Sequence, residues 1–166
     1  MAVAVRNGLR GVAAALLATG LLATAVLAGP ALGDTALTLV NGPEELELSI
    51  DDLAAMPLTT IATENEFVDG KVVYRGPLVR EVLARVGLDK AENVRFIAAN
   101  DYYVDIPTQN FRDYDAILAF EADGERLSRR DKGPVWLMYP ISDHPELHDP
   151  IYSRRLIWQV VKITSE

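Results

Sequence analysis

From Asp34 onward the chain alternates short apolar runs with turn residues, and only one stretch has clear helical periodicity. Leu37 to Val40 and Glu45 to Leu48 read as strands around Asn41-Gly42, a pair suited to tight hairpin turns. Ser49-Ile50-Asp51-Asp52 reads as a capped helix start, ended by Pro57. Thr59 to Glu66 and Lys71 to Tyr74 predict a hairpin over Asp69-Gly70. Pro77 to Val86 predicts a helix: Leu78, Val79, Val82, Leu83 and Val86 share one face, and Gly87 can stop it with positive φ. Val94 to Ala99 and Tyr102 to Ile106 read as strands on either side of Asn100-Asp101. Thr108 to Tyr114 reads as a helical turn, and Ile117 to Glu121 with Glu125 to Leu127 as a hairpin over Asp123-Gly124. Val135 to Tyr139 and Leu156 to Ile163 complete the set, with Trp136 and Trp158 read as core. This is an α+β pattern: mixed, mostly antiparallel β-structure with a few short helices.

The N-terminus differs in kind. Arg6 and Arg10 precede an uncharged stretch from Gly11 to Gly33, with an apolar heart at Val12 to Ala28. A positive start, an apolar middle and Ala31-Leu32-Gly33 at the end read as a signal peptide over residues 1–33. The arginines are not adjacent, so the signal is of the Sec type rather than twin-arginine. Residues 34–166 are then one domain, periplasmic or secreted; an uncleaved membrane anchor is the alternative.

Composition narrows the chemistry. Of 16 Lys and Arg, only Arg6 and Arg10 precede Asp34, leaving 14 against 24 acidic residues in the remainder. Such a surface is a poor match for nucleic acid. The absence of cysteine removes disulfides, iron–sulfur clusters, thiolate zinc sites and cysteine nucleophiles together.

Four phrases, in order, carry a family resemblance: YRGPLVREVLARVGL (Tyr74 to Leu88), FIAANDYYVDIP (Phe96 to Pro107), ILAFEADGERLSRRDKGPVWLMYP (Ile117 to Pro140) and RRLIWQVVKI (Arg154 to Ile163). Together they resemble the molybdopterin-binding domain of the sulfite-oxidase-like oxidoreductases. The resemblance implies that family's fold, molybdopterin as cofactor, and molybdenum held by one cysteine about ten residues before the aromatic-x-Gly. Here that region reads TTIATENEF, and Glu64 stands nearest the place as a lost metal-ligand position. A carboxylate is a hard oxygen ligand and does not replace a soft thiolate. The expectation is therefore a domain of this family without molybdenum catalysis and with no cofactor; a minimal molybdopterin-dependent oxidoreductase is the alternative.

Three places could carry a site. Asn100, Asp101 and Tyr102 form a polar turn leading into aromatics, able to line a pocket or simply to cap a sheet edge. Arg154 and Arg155 offer forked donors for a carboxylate, phosphate or sulfate, and equally for acids of the protein's own surface. In the resembled family a basic residue near Arg154 faces the cofactor side. His144 and His148, four apart among Asp143, Glu146 and Asp149, could hold a metal if one helical turn aligned them; otherwise they sit in a solvated loop. The expected partners are a small anionic ligand or a membrane-bound sensor or redox protein, bound at Asn100, Asp101, Tyr102, Arg154 and Arg155. A metal-binding periplasmic protein using the histidine loop is a further alternative.

Overall fold

Alternation in the first hairpin becomes β1 (Thr35–Asn41) and β2 (Glu44–Ser49), paired antiparallel with Leu37, Leu39 and Leu48 turned inward. The computed structural model describes residues 34–165, and the segment read as a signal peptide lies outside them. Ser49 starts α1 (Ile50–Ala54) through a reciprocal capping box with Asp52, as its sequence predicts. Among the described residues no helix is long and apolar enough to cross a membrane.

The second hairpin departs from expectation. β3 (Leu58–Asn65) and β4 (Val68–Pro77) reverse at Glu66-Phe67, not at Asp69-Gly70, which lie inside β4. The Asn65 side chain fixes the reversal by accepting the Phe67 N–H at 2.9 Å, an Asx turn that competes with the Asp-Gly signal downstream. Pro77 belongs to β4, and α2 runs Val79–Ala84 before Gly87 turns the chain at φ 70°.

β5 (Asn93–Ala98) and β6 (Tyr103–Pro107) follow, then α3 (Asn110–Asp113), β7 (Ile117–Ala119), and the short hairpin β8 (Glu121–Ala122) and β9 (Glu125–Arg126). Asp123 and Gly124 both take positive φ in that hairpin, as an Asp-Gly turn requires. β10 (Trp136–Met138), α4 (Pro150–Arg155) and β11 (Val160–Ser165) complete the order. One sheet runs β2-β1-β11-β5-β6, with β1 and β11 its parallel pair; a second runs β3-β4-β8-β9, and β7 pairs β10. The acids Glu44, Glu45 and Glu47 occupy the edge strand β2, which discourages further strand pairing.

Leu118, Leu137, Met138, Phe96, Phe111 and Trp136 fill the interior, each 1% exposed or less. The aromatic-x-Gly phrase acquires a physical reason here. Tyr74 is buried edge-on against Trp136, ring centroids 5.4 Å apart. Gly76 lets β4 lie against β7: a Cβ there would stand 2.0 Å from the Leu118 carbonyl oxygen. Trp158 corrects its reading as core, being 38% exposed. Gln159 beside it has φ 52°, so the last strand starts at Val160 rather than Leu156.

Candidate functional site

A cleft of about 350 Å³ opens where three turns meet. The β3–β4 turn contributes Glu66 and Phe67, the β5–β6 turn contributes Asn100 and Tyr102, and α4 with the chain after it contributes Ser153, Arg154, Leu156, Ile157 and Trp158. Phe67 and Trp158 form an aromatic wall, edge to face at 5.0 Å and 70°. Asn100 Oδ1 accepts the Tyr102 N–H at 3.2 Å, and Asp101 takes φ 65°, so the turn is held by its own side chain. The Tyr102 hydroxyl donates to the Arg154 carbonyl at 3.4 Å, joining the turn to α4. Asp149 caps α4 through the Ile151 N–H at 2.9 Å, with Pro150 in the first turn. That cap starts the helix whose last turn carries Arg154 and Arg155.

The two arginines part. Neighbours on a helix leave it about 100° apart. Arg154 is exposed at the cleft, and its guanidinium makes no hydrogen bond or ion pair among the described residues. Arg155 is 8% exposed, donates to Asn110 Oδ1, and lies 5.1 Å over the Tyr152 ring. It braces an aromatic cluster in which Tyr152 meets Tyr139 at 5.6 Å and Tyr114 at 5.9 Å. The Tyr152 hydroxyl, and then burial, push the Tyr114 phenol up to about 12. Burial drives Tyr139 above the ordinary phenol range, and its hydroxyl has no partner among the described residues.

Of the residues singled out from the sequence, the structure thus brings Asn100, Tyr102 and Arg154 together. Asp101 shapes their turn without lining the cleft, and Arg155 is turned to the interior. Glu66, Phe67 and Trp158 also line the cleft, and no sequence motif marks them as site residues.

His144 and His148 sit at either end of a tight turn over Pro145–His148 but serve different surfaces. His144 faces the Glu146 carboxylate at 3.4 Å and the Tyr114 ring at 5.2 Å, while His148 lines a groove with Glu64 and Glu66. No group of three or more His, Cys, Asp or Glu that could hold a metal ion occurs among the described residues. Glu64 is exposed, and its backbone N–H donates to Ser142 Oγ at 3.0 Å. The residues present do not fit a metal held by a protein thiolate: the chain has no cysteine, and the hard carboxylate at Glu64 is unlike one.

The mixed, mostly antiparallel sheets with short helices make up the fold of a sulfite-oxidase-like molybdopterin-binding domain. Residues 37–142 match the family described as oxidoreductase molybdopterin binding domain, and the chain belongs to that family. Among solved structures, the sulfane dehydrogenase SoxCD from Paracoccus pantotrophus shares the fold, with a TM-score of 0.58 and 20% identity. The likeness covers 79% of this chain and 38% of that one, so this chain spans well under half of the SoxCD chain it matches. No curated protein matches it.

Proposed function

We propose that this chain is an exported member of its family that binds a small ligand bearing an anionic group, without molybdenum redox catalysis. One observation carries the reading: an unpaired guanidinium, Arg154, stands at the mouth of an apolar, aromatic-walled cleft beside Asn100 and Tyr102. Apolar clefts with a few convergent polar groups are the usual form of small-ligand sites. The forked donors of arginine suit a carboxylate. The missing cysteine supports the second half of the proposal.

The probe is 3-phenylpropionate, an aromatic carboxylate small enough for the cleft, titrated by calorimetry. Arg154→Ala weakens its binding about tenfold, the loss of one charge-assisted contact. Arg154 is exposed, so the variant keeps its melting temperature. Unchanged binding by the folded variant would remove this site. The rival reading is a minimal molybdopterin-dependent oxidoreductase, favoured by family membership. It requires bound molybdenum and pterin in protein taken from its own host.

A further inference from the structure

The cleft carries a second charge that an anion site does not need. Glu66 lines it from the β3–β4 turn, opposite in sign to Arg154 on α4. The two do not form an ion pair with each other, and neither side chain has another hydrogen-bond or ion-pair partner among the described residues. In a chain of formal charge −8, a free carboxylate at the mouth repels phosphate and other multivalent anions. It attracts a cationic group instead. Phe67, Leu156, Ile157 and Trp158 supply the apolar part of the same lining.

We propose that the ligand is a zwitterion: an amino carboxylate with an apolar, preferably aromatic, body. Arg154 takes its carboxylate, Glu66 takes its ammonium, and the body lies against Phe67 and Trp158. This rests on the reading of the cleft as a ligand site and names the ligand's class. A site that presents a separate partner for each charge discriminates against analogues lacking either one, because the unmatched protein charge then loses solvent without compensation. Free amino acids with apolar side chains are the simplest members of the class.

The test titrates the folded domain with L-phenylalanine, 3-phenylpropionate (no ammonium), phenethylamine (no carboxylate) and glycine (no body). Heat and the emission of the half-exposed Trp158 report binding. L-phenylalanine binds at least about tenfold more tightly than each of the other three. Glu66→Gln brings L-phenylalanine down to the level of 3-phenylpropionate and leaves 3-phenylpropionate unchanged or improved. Arg154→Ala weakens both. Both residues are exposed, so unchanged melting shows that the variants still fold. If 3-phenylpropionate equals L-phenylalanine and Glu66→Gln changes neither, the zwitterion is wrong while the anion-binding cleft stands. If no probe binds up to about 10 mM, or Arg154→Ala is without effect, the cleft reading falls as well.

Discussion

Replacing Gly76 by alanine tests the packing that puts the two smaller sheets together. The added methyl stands 2.0 Å from the Leu118 carbonyl oxygen, 2.6 Å from its carbon and 3.0 Å from the Ala119 Cα. All three are backbone atoms, so no side chain can swing aside. A carbon–oxygen contact needs about 3.3 Å, so β4 and β7 must part by about 1 Å. Overpacking of this kind costs about 1–3 kcal/mol. Parting also strains the flanking bonds from Phe120 N–H to the Arg75 carbonyl (3.1 Å) and from Val79 N–H to the Ala116 carbonyl (2.9 Å). Each contributes about 1 kcal/mol, while the reduced freedom of the unfolded chain returns about 0.5–1 kcal/mol. The net loss is about 2–4 kcal/mol, or about 10 °C in melting temperature for a domain of this size. Gly70→Ala is the comparator. Gly70 has φ 76° with nothing within 4 Å, so its cost is conformational alone, about 1 kcal/mol. Circular dichroism during heating and in urea reads both. A Gly76→Ala protein melting within about 2 °C of wild type, or no lower than Gly70→Ala, would falsify the close approach of β4 to β7.

Four further expectations follow from single side chains. Arg155→Ala destabilises by about 2–3 kcal/mol, because it removes a buried stem, the bond to Asn110 and the contact with Tyr152. Arg154→Ala stays within about 0.5 kcal/mol in the same urea titration, and equal losses for the two would contradict their placement. Tyr139→Phe is neutral or stabilising by up to about 1 kcal/mol, since its buried hydroxyl has no partner among the described residues; a clear loss in melting temperature would reveal one. The bond from Arg95, assisted by its charge, holds the Asp105 carboxyl below the ordinary range. Its contribution is complete above the unfolded carboxylate value of about 3.9 and fades as pH falls through the lower folded value. The stability difference between wild type and Asp105→Asn therefore shrinks as denaturation is followed below about pH 4, and a difference that grows there would reverse the sign.

Local chemistry made much of this fold legible in the sequence. The Ser49 capping box, the stop at Gly87 and the Asp123-Gly124 turn depend on nearby residues and form where those residues predict. The helix, however, is only Val79–Ala84, because Pro77 ends β4. Ile117–Ala119 pairs with β10 instead of joining the hairpin, which is left to Glu121–Ala122 and Glu125–Arg126. The errors came where two local signals competed. The reversal falls at Glu66-Phe67 rather than Asp69-Gly70, where the Asn65 side chain accepts the Phe67 N–H in an Asx turn. Trp158 was read as interior from its apolar neighbours, but the left-handed backbone at Gln159 breaks the alternation that reading assumed. For the site, adjacency misled. Asp149-Pro150 begins a helix, and on a helix Arg154 and Arg155 cannot share a face. Recognising that start would have separated them. Glu66 and Phe67 carried no motif, and only the meeting of three distant turns makes them part of one cleft.

This chain has its family's fold, and on the reading proposed above its cleft captures a ligand instead of serving molybdenum chemistry. The most direct measurement is the molybdenum content, by elemental mass spectrometry, of the protein purified from its own host, read together with pterin fluorescence after oxidation. Neither is expected at more than trace level. Molybdenum and pterin near one equivalent per chain would contradict that reading and establish an oxidoreductase whose metal has no protein thiolate.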